Sequence, residues 1–400
     1  MRLNEQLEAL HKEYEDVKPG SVVLMEICGT HTMAIAKAGL RQLLPEGIRL
    51  ISGPGCPVCV TPAAQIDRIL ALSDRPDVII TTYGDLLRVP GSRRGDTLAR
   101  HKAGGSDVRI VYSPMDALEL AQQNPDKNVV FAGVGFETSA PGTAASLLAA
   151  AEDGVHNFSV LSYLKTTEPA VRTLLKDTAH PIDGFLCPGH VASIIGAEAF
   201  RFLPEEYGVP AVVGGFEKES VAAAVIRLAH LVHHAQEEKN AGETTGTAGD
   251  TESTGTTETA GVTKAAALEN LYTRAVTAEG NQAAKACMDM VFEPCDTEWR
   301  GLGRIPGSGL RIREAYKAHD AERRFFGTEG EHSEDQQTAE GNGYTGEPAG
   351  CRCGEILKGV LSPEDCPLFG RVCTPMDPVG PCMVSSEGAC AAAYKYRGIL

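Results

Sequence analysis

The chain has 400 residues, 42% of them hydrophobic and 22% charged, with a formal net charge of -16. That length supports two or three domains and a sizeable core without covalent staples. No basic patch interleaved with aromatics appears, which argues against nucleic acid as a partner. No apolar run reaches the roughly 20 residues of a membrane-spanning helix, so no membrane association and a cytoplasmic location are expected.

The first residues, MRLNEQLEALHKEYEDVKPG, put Leu3, Leu7, Leu10 and Tyr14 on one helical face. They resemble neither a signal nor a transit peptide. From residue 20 to 230, short β-branched runs alternate with helix-like stretches: SVVLMEI, IRLISG, DVIITTYG, VRIVYS, NVVFAGVG, FSVLSY, IDGFLC and VPAVVGG. Two of the intervening segments, TPAAQIDRILALS and SPMDALELAQQ, open with Thr-Pro or Ser-Pro, a good helix start. Near-continuous apolar strands alternating with helices predict an α/β fold with parallel sheets covered on both faces. Two similar halves around a cleft are expected, 20–127 and 128–230, because the glycine-rich GVGFETSAPGTAA restarts the pattern. A further, mostly helical and loop-rich domain is expected from 1–19 with 263–400. Segments 236–262 and 327–349 each hold six acidic residues, few large apolar ones and at most one lysine. They are predicted to be disordered insertions, because they have little to bury against the entropy of ordering.

In parallel α/β sheets, ligands sit beyond the carboxyl ends of the strands. Four reactive-looking motifs follow strands: CGTH at 28–31, GPGCPVC at 53–59, GFETS at 135–139 and CPGH at 187–190. Cys28 opens a helix, where the dipole favours the thiolate that a soft metal needs. His31 is placed to ligate, shuttle a proton or hydrogen-bond. A packed, inert cysteine beside a capping threonine is the competing reading. Cys56 and Cys59 form C-x-x-C, which suits a redox dithiol or half of a metal site. Glu137 and Thr138 follow a strand, but the spacing of their glycines fails the dinucleotide fingerprint. Cys187 and His190 occupy another such turn, where a lone residue is more often structural.

Twelve cysteines are many for a reducing compartment and point to metal or redox work. Six lie in the last fifty residues: Cys351, Cys353, Cys366, Cys373, Cys382 and Cys390. Thiolates from a proline-rich segment can encage a cubane cluster or one zinc, and the count alone leaves both open. Cys187, Cys287, Cys295, Cys351 and Cys382 have no assigned role.

Together these motifs resemble the HypD family of [NiFe]-hydrogenase maturation factors. The carriers are CGTHT, GPGCPVCV, GFET, CPGHV, EWRGLGRIPGSGL and the segment CRCGEILKG…CPLFGRVCTP…GPCMVSSEGAC. The resemblance spans nearly the whole chain outside the acidic insertions. It implies a [4Fe-4S] cluster on Cys353, Cys366, Cys373 and Cys390, in an iron–sulfur domain formed by 1–19 and 263–400. It implies a scaffold that assembles the Fe(CN)2CO unit with a small HypC-type chaperone and a HypE-type cyanide donor. Cys28 would ligate the transient iron, Cys56 and Cys59 would be a dithiol/disulfide pair linked to the cluster, and His31, Glu137 and His190 would line the cleft. The turn TTEPA at 166–170 departs from the Pro-rich turn expected there. Two other functions fit the same residues: a cluster-dependent thiol–disulfide oxidoreductase acting on protein disulfides, and a zinc-stabilised binding module.

Overall fold

The computed structural model describes residues 3–245, 267–327 and 348–397. In chain order its strands are β1 (Val22–Glu26), β2 (Ile48–Ser52), β3 (Val78–Thr82), β4 (Val108–Ile110), β5 (Asn128–Gly135), β6 (Phe158–Leu164), β7 (Gly184–Pro188), β8 (Ala211–Gly214), β9 (Leu268–Asn270), β10 (Phe292–Trp299) and β11 (Gly303–Ile312). The first eight are the eight runs expected. They form two parallel sheets with helices between the strands, as the pattern requires. No helix among the described residues is long and apolar enough to cross a membrane.

The division into halves differs from the expected split near residue 127. One compact unit is built from Met1–Gly53, Leu175–Gly280 and Gly398–Leu400, the other from Pro54–Leu174 and Asn281–Arg397. The chain lays down two strands of the first unit, builds the sheet of the second, then returns. Among the described residues, 3–19 and 267–280 therefore belong with the first unit, not with the cysteine-rich segment.

The first unit carries the sheet order β2-β1-β7-β8-β9. β1 sits between two parallel neighbours, with Leu24 opposite Leu50 of β2 and Gly184 of β7. Every residue of β1, β7 and β8 is buried, as expected of strands covered on both faces. The N-terminal helix Leu3–Glu13 packs on the long helix Lys218–Thr245, and the Tyr14 hydroxyl donates to the Ala229 carbonyl at 2.8 Å. That long helix runs through Thr245, so residues 236–245 are helical rather than disordered. Residues 246–262 and 328–347, the remainder of the two acidic segments apart from their edges, lie outside the described residues.

The second unit carries the sheet order β4-β3-β5-β6. The helix Pro114–Gln123 starts in a capping box, Ser113 with Asp116, and Pro at its first position. An antiparallel hairpin, β10–β11, joins this unit, with a register shift between Cys295 and Thr297. Residues 348–397 contain only short helices, Cys353–Leu357, Pro381–Val384 and Ala389–Lys395, with a 3-10 turn at Pro363–Asp365. That is the loop-rich character expected of them.

Candidate functional site

The first unit gathers Cys28, His31 and His190 at the carboxyl ends of β1, β7 and β8. Cys28 is buried, lies outside any disulfide and is the N-cap of helix Gly29–Ala38. Beneath it lies a residue that the sequence reading passed over. Glu26, the last residue of β1, is fully buried. Its Oε2 accepts the Cys28 N–H at 3.0 Å and its Oε1 accepts the Thr32 hydroxyl. Burial pushes the Glu26 carboxyl up to about 7, against the opposing pull of hydrogen bonds from Ser52 and Thr32 and of the Arg41 charge. The carboxylate thus fixes both the peptide that presents Cys28 and the first turn of the helix behind it.

His31 is also fully buried. Its Nε2 lies 3.2 Å from the Gly214 carbonyl and 3.0 Å from the Gly215 carbonyl. Carbonyls only accept, so Nε2 carries the proton and Nδ1 carries a bare lone pair. Nδ1 has no hydrogen-bond partner. Burial lowers the imidazole to about 4, so at neutral pH it is an uncharged acceptor or ligand, not an acid. The ring stacks on Phe216 with centroids 4.7 Å apart, and the exposed His190 stacks on the same ring at 3.7 Å. Gly189 lets the turns after β7 and β8 approach each other. A Cβ on Gly189 would stand 2.5 Å from the Gly214 carbonyl oxygen and 2.6 Å from the Tyr272 ring. Cys187 is buried within β7, and burial pushes its thiol far up, so it is an inert core residue.

The second unit holds the C-x-x-C motif, Glu137 and the C-terminal cysteines. Cys56 and Cys59 are joined in a disulfide, with Cα atoms 5.2 Å apart. Cys56 caps the one-turn helix Pro57–Val60, and its sulfur accepts the Cys59 N–H at 3.3 Å. Both are buried in one apolar cluster with Trp299, Phe136 and all the C-terminal cysteines except the half-buried Cys351 at its margin. Glu137 is buried and receives the Thr167 N–H at 2.6 Å and the Thr167 hydroxyl at 2.9 Å. It thereby anchors the start of helix Thr167–Leu175, and burial raises its carboxyl. The departing turn TTEPA is the partner of GFET.

Cys351, Cys353, Cys366, Cys373, Cys382 and Cys390 all line one small pocket, walled otherwise by Ile356, Leu368, Phe369 and Met383. The Cys353 and Cys382 sulfurs are 2.7 Å apart. Hydrogen bonds from the Cys351 and Cys382 thiols, and the Arg300 charge, hold Cys353 well below the usual thiol range. Cys382 is correspondingly pushed up. Arg300 is a second residue that sequence reasoning missed. Its buried guanidinium donates from Nε and Nη2 to the Thr61 carbonyl at 3.2 and 2.8 Å, directly after the C-x-x-C helix. One buried cation thus serves both the dithiol helix and Cys353. Among the described residues no set of three His, Cys, Asp or Glu side chains is arranged around a single ion. Six soft donors in an apolar wall, with no carboxylate, have the chemistry that either a zinc ion or an iron–sulfur cluster takes. The pocket does not single out four of the six. Cys287 and Cys295 lie elsewhere in this unit, in helix Gln282–Val291 and in β10.

Comparison with known proteins agrees with these motifs. A family described as HypD, hydrogenase formation hypA family, matches residues 2–247 and 256–397. A protein of Rhodobacter capsulatus named hydrogenase maturation factor HypD is 42% identical over 384 residues, 94% of this chain and 90% of its own. The Rhizobium leguminosarum bv. viciae protein of that name is 44% identical, covering 93% of this chain and 87% of its own. The Escherichia coli (strain K12) protein is 41% identical, covering 97% and 92%.

Proposed function

We propose that this chain, which belongs to the HypD family of hydrogenase maturation factors, is the scaffold on which the Fe(CN)2CO unit of the [NiFe] site is assembled. The observation that carries this reading is the burial of the Cys56–Cys59 disulfide in one apolar cluster with the C-terminal cysteines. The iron being built is cargo. Cys28 supplies a soft thiolate to it, with the loop held by Glu26. His31, neutral and with Nδ1 bare, can accept a hydrogen bond or bind a metal, and His190 flanks it through Phe216. A small HypC-type chaperone would share the iron, and a HypE-type protein would deliver cyanide.

A [4Fe-4S] cluster on Cys353, Cys366, Cys373 and Cys390, when bound, would supply single electrons. Cys56 and Cys59 would store a pair of them: the disulfide takes up two electrons and two protons to give two thiols. The Cys351 and Cys382 thiols, with a smaller pull from the Arg300 charge, favour the thiolate of Cys353, and Arg300 pins the end of the dithiol helix. These reactions suit the reducing cytoplasm.

Infrared spectra of the anaerobically purified chain with its small partner test the reading. Cyanide and carbonyl bands are expected. They should vanish in Cys28→Ala while the visible absorption of the cluster persists. Bands unchanged in that variant would remove Cys28 from the iron site. A chain with cluster but no such bands in the wild type would instead favour thiol–disulfide exchange on protein substrates. Iron and sulfide analysis of six Cys→Ala variants tests the ligand set. Loss is expected for Cys353, Cys366, Cys373 and Cys390, and near-normal content for Cys351 and Cys382.

A further inference from the structure

Residues 88–109 stand apart from the rest of the chain in charge. They hold six basic and two acidic residues within a chain of net charge -16. Both acids are engaged: Asp107 binds Arg109 through two bonds of 2.8 Å, and Asp96 binds His101 at 2.8 Å. Arg94 reaches Asp377 at 2.6 Å. Arg88, Arg93, Arg100 and Lys102 are exposed. Among the described residues none of these four side chains has a hydrogen-bond or ion-pair partner, and Lys102 exerts only a through-space pull on Asp107.

The same face carries apolar surface. β4 is the edge strand of its sheet and pairs only with β3. The helix Leu98–Ala103 packs on β4 and on the 3-10 turn Gly84–Arg88. Leu98 and Val108 share one core layer with Ile80 and Val130, while Val111 joins the opposite layer with Ile79 and Phe131. Strand alternation therefore puts Ile110 on the face occupied by the basic helix. Ile110 is 48% exposed and Tyr112 93%. Tyr112 is nevertheless held in place. Its N–H donates at 2.9 Å to Asp116 Oδ2, a carboxylate that also closes the capping box of the next helix. An aromatic ring in water on a fixed backbone is the kind of anchor that interfaces bury, because little ordering remains to be done on binding. β4 is blunted by its length of three residues and by the charge of Arg109, yet it ends in exposed Ile110.

We propose that this face docks an extended acidic segment of a partner protein, which adds to the free edge of β4. Its carboxylates lie over Arg88, Arg93, Arg100 and Lys102, and an apolar side chain meets Ile110 and Tyr112. A polypeptide is favoured over a nucleic acid because β4 has no second neighbouring strand, and those of its outward backbone groups not engaged locally, as the Val108 N–H is with the Ser106 carbonyl, match another backbone. The inference does not depend on the metal chemistry proposed above.

The test is fluorescence anisotropy of the full chain with a labelled strand-length peptide of alternating glutamate and valine. Binding is expected, with affinity that falls as salt is raised. It should drop about tenfold or more in R88E/R93E/R100E/K102E, and also in Tyr112→Ser, with the thermal midpoint unchanged. A glutamine–valine peptide should not bind. If the fourfold variant melts early, the salt titration of the wild type decides in its place. The proposal is overturned if the acidic peptide does not bind, if its binding ignores salt or either variant, or if oligouridylate competes equally well. That last result would make the face a general polyanion site.

Discussion

At Glu26 and His31, two buried titratable groups pull stability in opposite directions. Burial lifts Glu26 from 4.5 to about 7, so the folded chain holds that proton more tightly than the unfolded one. Its contribution to stability is complete below pH 4.5 and is lost as pH rises through about 7. His31 is depressed from 6.5 to about 4, so its contribution is complete above 6.5 and is lost as pH falls through about 4. The two slopes oppose each other in between, and a wild-type curve alone hides both. Glu26→Gln removes one. By denaturant titration it should match the wild type near pH 5 and exceed it by roughly 2–3 kcal/mol near pH 8. An equal difference at both pH values would mean that Glu26 does not titrate in the folded chain. Arg300 makes a second case. Arg300→Met leaves the Thr61 carbonyl without either guanidinium bond, which should cost about 2–3 kcal/mol. Arg300→Lys keeps the charge but not the planar fork, and should fall between. A denaturation midpoint for Arg300→Met equal to the wild type would show that the buried charge is no net stabiliser. Neither residue was legible beforehand. Glu26 sits inside an apolar run and Arg300 inside a glycine-rich turn, and only the fold shows that both are buried against the motifs.

The hairpin β10–β11 is the element least visible in the sequence. FEPCDTEW and GRIPGSGLRI carry prolines and repeated glycines, which ordinarily demote a strand. Its pairing survives because it is a two-stranded ribbon, with an irregular register at Cys295 and Thr297. β9, three residues long, is too short for any periodicity to register. The first eight strands, by contrast, were plain, since most are buried on both faces and that burial writes itself as apolar runs. The hairpin turn also meets the cysteine segment backbone to backbone. Gly301 has φ of 79°, and a Cβ placed on it would stand 2.4 Å from the Gly354 Cα. Gly301→Ala should therefore displace helix Cys353–Leu357 as well as strain its own turn. A fall in thermal midpoint is expected and, where the pocket holds the cluster proposed above, a loss of its iron as well, although no cysteine is altered. A variant that melts early yet keeps its full iron would confine the contact to folding.

At the scale of the whole chain, the strand count could be read but the allocation of strands to sheets could not. Hydrophobic runs record that a strand is covered, not which neighbour it pairs with, so β7 gave no sign that it returns to β1, nor β8 that it follows β7 into the same sheet. The motifs were legible because reactive side chains at strand ends are rare in ordinary cores. The sharing of one pocket by six cysteines was not, because spacing along a loop-rich segment says nothing of convergence. The interleaving has a measurable outcome. A fragment ending at residue 174 contains β1 with only one of its two neighbours and lacks helix Lys218–Thr245. In such a fragment, amide exchange should be slow in β3, β5 and β6 and fast in β1. Slow exchange in β1 would mean that two strands and the N-terminal helix suffice for that unit.

The bonds from His31 to the Gly214 and Gly215 carbonyls span 183 and 184 positions of chain. During synthesis Cys28 leaves the ribosome early, but the groups that fix the tautomer of His31 emerge only much later. Until then the imidazole is solvated and free to take a proton, and no sheet stands behind the cysteine loop. The surroundings of His31 are complete only after β8 and the turn behind it have emerged, and the thiols of the last fifty residues follow later still.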